Sequence, residues 1–260
     1  MPQSHHGPHA QLGAGLFVEQ GRAAFERTVE ANRDSVAAAA RLIADCVAAD
    51  GVVHAFGTGH SQAAALEIAG RAGGLVPTSR ISLADLVLRG GEDRSVLDDP
   101  LLERSPDLAG RLYALATPRP QDMFVIISNS GVNNSIVDMA LHVKAQGHPL
   151  VALTSLEHTN SVPTLHSSGK RLADLADAVL DNCAPTGDAL LPLPDGNALC
   201  GVSTLTSSLL VQMTVAEAVA LLGAEGHEAP VYISANVPGG YERNAVLEAR
   251  YHGRLHRGGH

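Results

Sequence analysis

From residue 51 onward the chain alternates short apolar runs with stretches of helical spacing. The runs Val52 to Phe56, Leu75 to Pro77, Met123 to Ile127, Leu150 to Leu153 and Ala178 to Leu180 are largely continuous in apolar residues. Such runs predict strands buried on both faces, as in a parallel sheet. Between them, Gln62 to Ala72 and Ser135 to Gln146 carry apolar positions at helical spacing. Strand, loop and helix in repetition define βαβ units, so the expected fold is α/β: a doubly wound parallel sheet flanked by helices.

The flanks read differently. Gly15 to Asp50 holds apolar positions at helical spacing, with Ala37 to Ala40 as a strong helix-forming run, and predicts one long helix or two that end at Asp50-Gly51. Val202 to Leu222 predicts a further helix with Gly223 as its stop. Leu88 to Leu108 is dense in Asp, Glu, Arg and Pro and longer than a usual connection, which suits a lid or a surface insertion. The organisation expected is a disordered start over 1–12, a helical segment over 13–50, the sheet domain over 51–247 and a flexible tail over 248–260.

Composition narrows the partners. A net charge of −9 argues against nucleic acid and anionic membranes, both of which select clustered Lys and Arg. Cys46, Cys183 and Cys200 are odd in number and lack CxxC spacing, so they read as reduced thiols of a cytoplasmic protein. No apolar run is expected to reach the roughly 18 residues needed to cross a bilayer, and the polar stretch Met1 to Ala10 has no signal-peptide core. Of the 13 histidines, His5, His6 and His9 lie at one end and His252, His256 and His260 at the other; no interior cluster has ligand spacing, so neither a metal nor a cofactor is expected.

In an open parallel sheet ligands collect at the carboxyl ends of the strands. Three such ends carry candidate chemistry. Gly57-Thr58-Gly59-His60-Ser61 places glycines where a backbone must approach a ligand, and the following helix offers unpaired N–H groups to an anion; a tight turn would use the same glycines. Ser128-Asn129-Ser130-Gly131-Val132-Asn133-Asn134-Ser135 is a run of small hydrogen-bonding side chains before a helix, which also suits an N-cap. Thr154-Ser155 ends the next run, with Glu157 and His158 close behind. Two polar loops converging on one crevice favour phosphate binding. With no P-loop lysine and no long glycine fingerprint, a nucleotide is demoted.

These residues resemble the sugar isomerase (SIS) domain family. Gly57 to Ser61 is similar to that family's first loop, and Ser128 to Asn133 to its Ser-x-Ser-Gly-x-Thr phosphate loop, with Asn133 where many members have Thr. His166 to Leu172, Asp181-Asn182, Gly187-Asp188 and Ser234 to Gly240 look like a single-domain subgroup on the etherase side of the family. The resemblance implies a five-stranded sheet, a small phosphosugar partner, and a homodimer with its sites near the subunit interface. It also implies that Gly59, Ser61, Ser128, Asn129, Ser130, Gly131, Asn133, Ser135 and Ser155 form the sugar-phosphate site.

Isomerisation and elimination both begin with removal of a proton beside the carbonyl of an open-chain sugar, and so need a base. Glu67, on the helix after the first loop, is the first candidate, although with Arg71 four residues on it also suits a helix ion pair. The family's functional Glu falls where this chain has Arg71. His60, His158 and Glu103 are further candidates. The expected reaction is dehydration of an N-acetylated amino-sugar 6-phosphate, N-acetylglucosamine 6-phosphate in particular, with aldose–ketose isomerisation or non-catalytic sugar sensing as rivals.

Overall fold

The computed structural model describes residues 12–105 and 107–256. Two helices, α1 (Ala14–Ala31) and α2 (Arg33–Ala48), open the chain. They part at Asn32, whose buried amide donates to the Thr28 and Asp181 carbonyls and accepts from the Asp181 N–H. The sheet domain then runs β1 (Val53–Gly57), α3 (Gln62–Ile68), β2 (Thr78–Ile81), α4 (Asp85–Leu88), α5 (Leu108–Ala116), β3 (Met123–Ile127), α6 (Asn134–Ala145), β4 (Leu150–Thr154), α7 (Leu156–Ser161) and β5 (Ala178–Asp181). A hairpin of β6 (Ala189–Pro192) and β7 (Ala198–Gly201), the long α8 (Ser203–Ala224) and α9 (Gly240–Ala249) complete it.

Five strands pair in parallel in the order β2-β1-β3-β4-β5. Successive residues of each strand feed two separate cores. Val53, Ala55, Met123, Val125, Ile127, Val151 and Leu153 pack under α2, α3 and α8, whereas Phe56, Phe124, Ile126, Leu150 and Ala152 pack under α4, α5 and α6. Alternation within an unbroken apolar run is what a sheet covered on both faces requires. The fold is thus the doubly wound α/β sheet that the pattern predicts.

Four expectations need correction. The second strand is not Leu75 to Pro77 but Thr78–Ile81: as the sheet's edge strand it tolerates the polar Thr78, Ser79 and Arg80, and Leu75 instead bridges to Val231. The segment 13–50 is helical as expected, but the sheet domain does not begin at residue 51, because Val36, Ala39, Ala40, Ile43, Ala44 and Val47 of α2 belong to the sheet's own core. The tail does not fray in its described part. Tyr251 is buried at 1%, Arg254 Nη2 donates to Asp122 Oδ1 at 2.5 Å, and Arg80 N donates to the His256 carbonyl at 2.5 Å. Finally, α8, at 22 residues with an 18-residue stretch of mean hydropathy 1.6, is long and apolar enough to cross a membrane. Here it lies on α2 and α3, with Leu210, Val211, Ala218 and Leu222 in the core. The expected disordered start falls, apart from Leu12, outside the described residues.

At the amino ends of the strands, Asp122 is buried and accepts from Val52 N (2.9 Å), Arg119 N (2.8 Å), His54 Nε2 (3.1 Å) and Arg254. Burial alone would raise this carboxyl, but the hydrogen bonds from His54 and the two backbone N–H groups outweigh it and hold the carboxyl below its ordinary range.

Candidate active site at the strand carboxyl ends

The strand order reverses between β1 and β3, and in open α/β sheets that gap is where a ligand crevice forms. Gly57 and Ile127 are register partners there, so Thr58 and Ser128 leave the sheet side by side. A Cβ on Gly57 would stand 3.0 Å from the Ser61 carbonyl and 3.1 Å from that of Ile127, so glycine permits the close approach of the two chains. The first loop then turns tightly, with Ser61 N donating to the Thr58 carbonyl at 3.1 Å and Gly59 at φ 54°. Exposed His60 and half-buried Ser61 face a cavity of about 110 Å³ shared with Asn129, Asn182, Asp188 and Ser203.

The second loop is tied down by its own side chains. Ser128 Oγ accepts from Gly131 N at 3.1 Å, and the Asn129 carbonyl accepts from Ser155 N at 3.1 Å. Asn129 Oδ1 accepts from the Asn182 amide at 3.1 Å, and the carbonyl of half-buried Ser130 accepts the Thr159 hydroxyl. Gly131, at φ 63°, lets the chain turn into α6. Asn133 caps that helix by position, yet its side chain makes no cap hydrogen bond. Ser135, in the first turn, is 2% exposed and its Oγ has no hydrogen-bond partner among the described residues. Asn133 and Asn134 line an open cavity of about 750 Å³ together with Glu103, Leu97 and Leu165.

The predicted residues therefore divide. His60, Ser61 and Asn129 meet in one cavity, and Asn133 and Glu103 in a second, larger one. Of the stretch 88–108, expected as a lid or insertion, the described residues are mostly exposed and form two short 3₁₀ turns, and Glu103 on the second faces this cavity. Ser155, His158 and Glu67 are instead engaged structurally. Ser155 is fully buried, donates to the Ala184 carbonyl at 2.6 Å and caps α7 through His158 N. His158 Nδ1 accepts from Gly187 N at 3.2 Å. Glu67 Oε1 is paired with Arg71 and accepts from the Gln212 amide at 2.6 Å, the ion-pair alternative realised.

The residues that the sequence reading did not single out as site residues are Asn182, Asp188, Ser203 and Ser207. Asp188, in the left-handed region at φ 73°, accepts from Val202 N (3.1 Å), Ser203 N (2.7 Å) and Ser203 Oγ (2.8 Å) and so caps α8 against the crevice. The pairs Asp181-Asn182 and Gly187-Asp188, which carry part of the resemblance, are the signal that marks them.

Polar loops at the reversal point of a five-stranded parallel sheet define the class, and the sequence agrees: residues 16–155 match the model of the SIS domain, the family to which this chain belongs. Within it the chain falls among the UPF0309 proteins. It is 39% identical to the UPF0309 protein of Listeria monocytogenes over 92% of this chain and 97% of that one. It is 35% identical to that of Geobacillus kaustophilus over 89% and 91%. Among solved structures it is similar in fold to a phosphoheptose isomerase from Francisella tularensis, with a TM-score of 0.54 and 18% identity over 78% of this chain and 95% of that one. A second, from Neisseria gonorrhoeae, gives 0.52 and 19% over 80% and 96%.

Proposed function

We propose that the chain seats the phosphate of a sugar phosphate at the start of α6 and acts as a carbon–oxygen lyase. The substrate we assign is N-acetylglucosamine 6-phosphate in its open-chain form. A base takes the C2 proton, the C3–O bond breaks, and the departing hydroxyl collects a proton to leave as water. The observation that carries the reading is the Ser135 hydroxyl, buried without a partner among the described residues in the first turn of a 12-residue helix. A phosphate oxygen would satisfy it, and the N–H groups of Asn134 and Ser135 that open α6 would serve the same anion, those of Ile136 and Val137 being engaged by the Asn133 carbonyl. Membership of the SIS family and the names of the structural relatives support a sugar phosphate as the ligand.

Among the candidate bases Glu103 is favoured, because it faces the cavity that Asn133 and Asn134 also line, whereas the Glu67 carboxylate is held by Arg71 and Gln212. His60, exposed at the cavity that Ser61 and Asn129 line, is the acid we assign to the leaving hydroxyl. The working unit is a homodimer in this reading, which the exposed Phe25 and Val29 of α1 and Leu205 of α8 support. Isomerisation is the second reading, favoured by the names of the two structural relatives.

The test is mass spectrometry of the protein incubated with a panel of hexose and N-acetylhexosamine 6-phosphates. Loss of one water from N-acetylglucosamine 6-phosphate is the expected result, and Glu103→Gln should lower turnover about 10²–10⁴-fold with affinity retained. Interconversion of aldose and ketose without a mass change would replace the lyase by an isomerase. Saturable binding with no turnover of any member would make the protein a sensor.

A further inference from the structure

The cavity beside α6 has features that a phosphate leaves unexplained. Its volume of about 750 Å³ lies in the range of pockets that enclose drug-sized ligands, more room than a single sugar ring fills. Its wall includes Leu97 and Leu165, exposed at 36% and 62%, with Pro100 beside them. Apolar side chains gathered on the wall of a polar cavity mark a place where an apolar group of a ligand is received. Asn134 lines the same cavity, and its Oδ1 is buried with no partner among the described residues. An amide oxygen only accepts, so an ionised phosphate cannot satisfy it, and the missing partner is a donor such as N–H or O–H.

We propose that this cavity is an acylamino subsite, in which the N–H of a C2 acylamino group donates to Asn134 Oδ1 while the acyl chain lies along Leu97 and Leu165, with room for chains longer than acetyl. The proposal rests on the phosphosugar reading above and extends it to the substituent that the protein selects. A hydroxyl at C2 would also donate to Asn134, but it would leave the leucine wall bare. Glu103 faces the same space, which brings the carboxylate to the carbon that carries both the acylamino group and the acidic proton.

The experiment measures dissociation constants of glucose 6-phosphate, N-acetylglucosamine 6-phosphate and N-butyrylglucosamine 6-phosphate by calorimetry, for the parent and for Leu165→Ser and Asn134→Leu. Two further methylenes on the leucine wall should tighten binding about tenfold from acetyl to butyryl. Leu165→Ser, a change at a solvent-exposed side chain, should shrink that difference to less than threefold. Asn134→Leu should weaken N-acetylglucosamine 6-phosphate and glucose 6-phosphate alike, about tenfold, because both donate to its Oδ1. Butyryl binding no tighter than acetyl, or a difference that survives Leu165→Ser, overturns the acyl subsite and leaves the phosphate site standing. Failure of all three sugars to bind the parent overturns the phosphosugar reading and the subsite with it.

Discussion

Gly131 is where the loop before α6 depends most on a single residue. Its φ of 63° lies in the region that favours glycine, and a Cβ there would meet Thr159 Oγ1 at 2.8 Å and Thr154 Oγ1 at 3.1 Å. Neither hydroxyl is free to yield, because Thr159 donates to the Ser130 carbonyl and Thr154 to that of Asn129. Gly131→Ala should therefore cost about 1–3 kcal/mol in urea unfolding. Gly147→Ala, at φ 82° in open space, should cost only about 1 kcal/mol, and equal losses would show that packing at Gly131 contributes nothing. The thiols make a second test at this scale. Burial pushes the Cys46 thiol up to about 12, with Asp122 adding to it, whereas Cys200 is exposed on β7. A thiol reagent at pH 8 should label Cys200 within minutes and Cys46 only on unfolding; rapid labelling of Cys46 in the folded protein would contradict its burial.

Among the elements, the amino ends of β1 and β3 are held to the C-terminal segment by Asp122. This carboxylate receives four donors while itself 2% exposed, and Arg254 is 11% exposed. Asp122→Ala would leave His54 and Arg254 buried without their partner, so thermal denaturation should show a loss of about 3–5 kcal/mol. A loss below about 1 kcal/mol would mean that the network adds nothing beyond its packing. Central strands were legible in the sequence because burial on both faces demands an unbroken apolar run, as in Met123 to Ile127, which matches β3 residue for residue. Edge strand β2 was not, because with a single strand neighbour its buried hydroxyls find partners off the sheet, Thr78 Oγ1 at the Leu75 carbonyl and Ser79 Oγ at that of residue 256. The β6–β7 hairpin escaped because its strands are short and mostly exposed, although Pro194-Asp195-Gly196-Asn197 is a turn signal. At the site, the residues directly after β1 and β3 were legible from position alone. Asn182, Asp188 and Ser203 were not, since only folding brings them to loops more than 50 residues away in the chain.

For the whole molecule, acid should be destabilising from near neutrality downward. Burial, together with Arg89 and His54, holds His256 down at about 4, and burial likewise lowers His148. The unfolded chain binds protons at these imidazoles near their ordinary value of 6.5 while the native chain does not. Their contribution is therefore complete above that value and is lost as pH falls toward about 4. Asp122, held low, adds a loss at still lower pH, whereas Asp85, raised chiefly by burial, shifts the balance the other way in the carboxylate range. The melting temperature should fall from pH 7 to pH 4 and should fall less in His256→Gln; a flat profile would contradict the buried neutral state of these rings. The contact of residue 256 with Ser79 and Arg80 bears also on how the chain is made. These partners stand 177 positions apart, so during synthesis β2 emerges long before the segment that covers it. Until then the nascent sheet carries an open edge that another strand can join, and the hazard of wrong association is concentrated in the time before residue 256 leaves the ribosome.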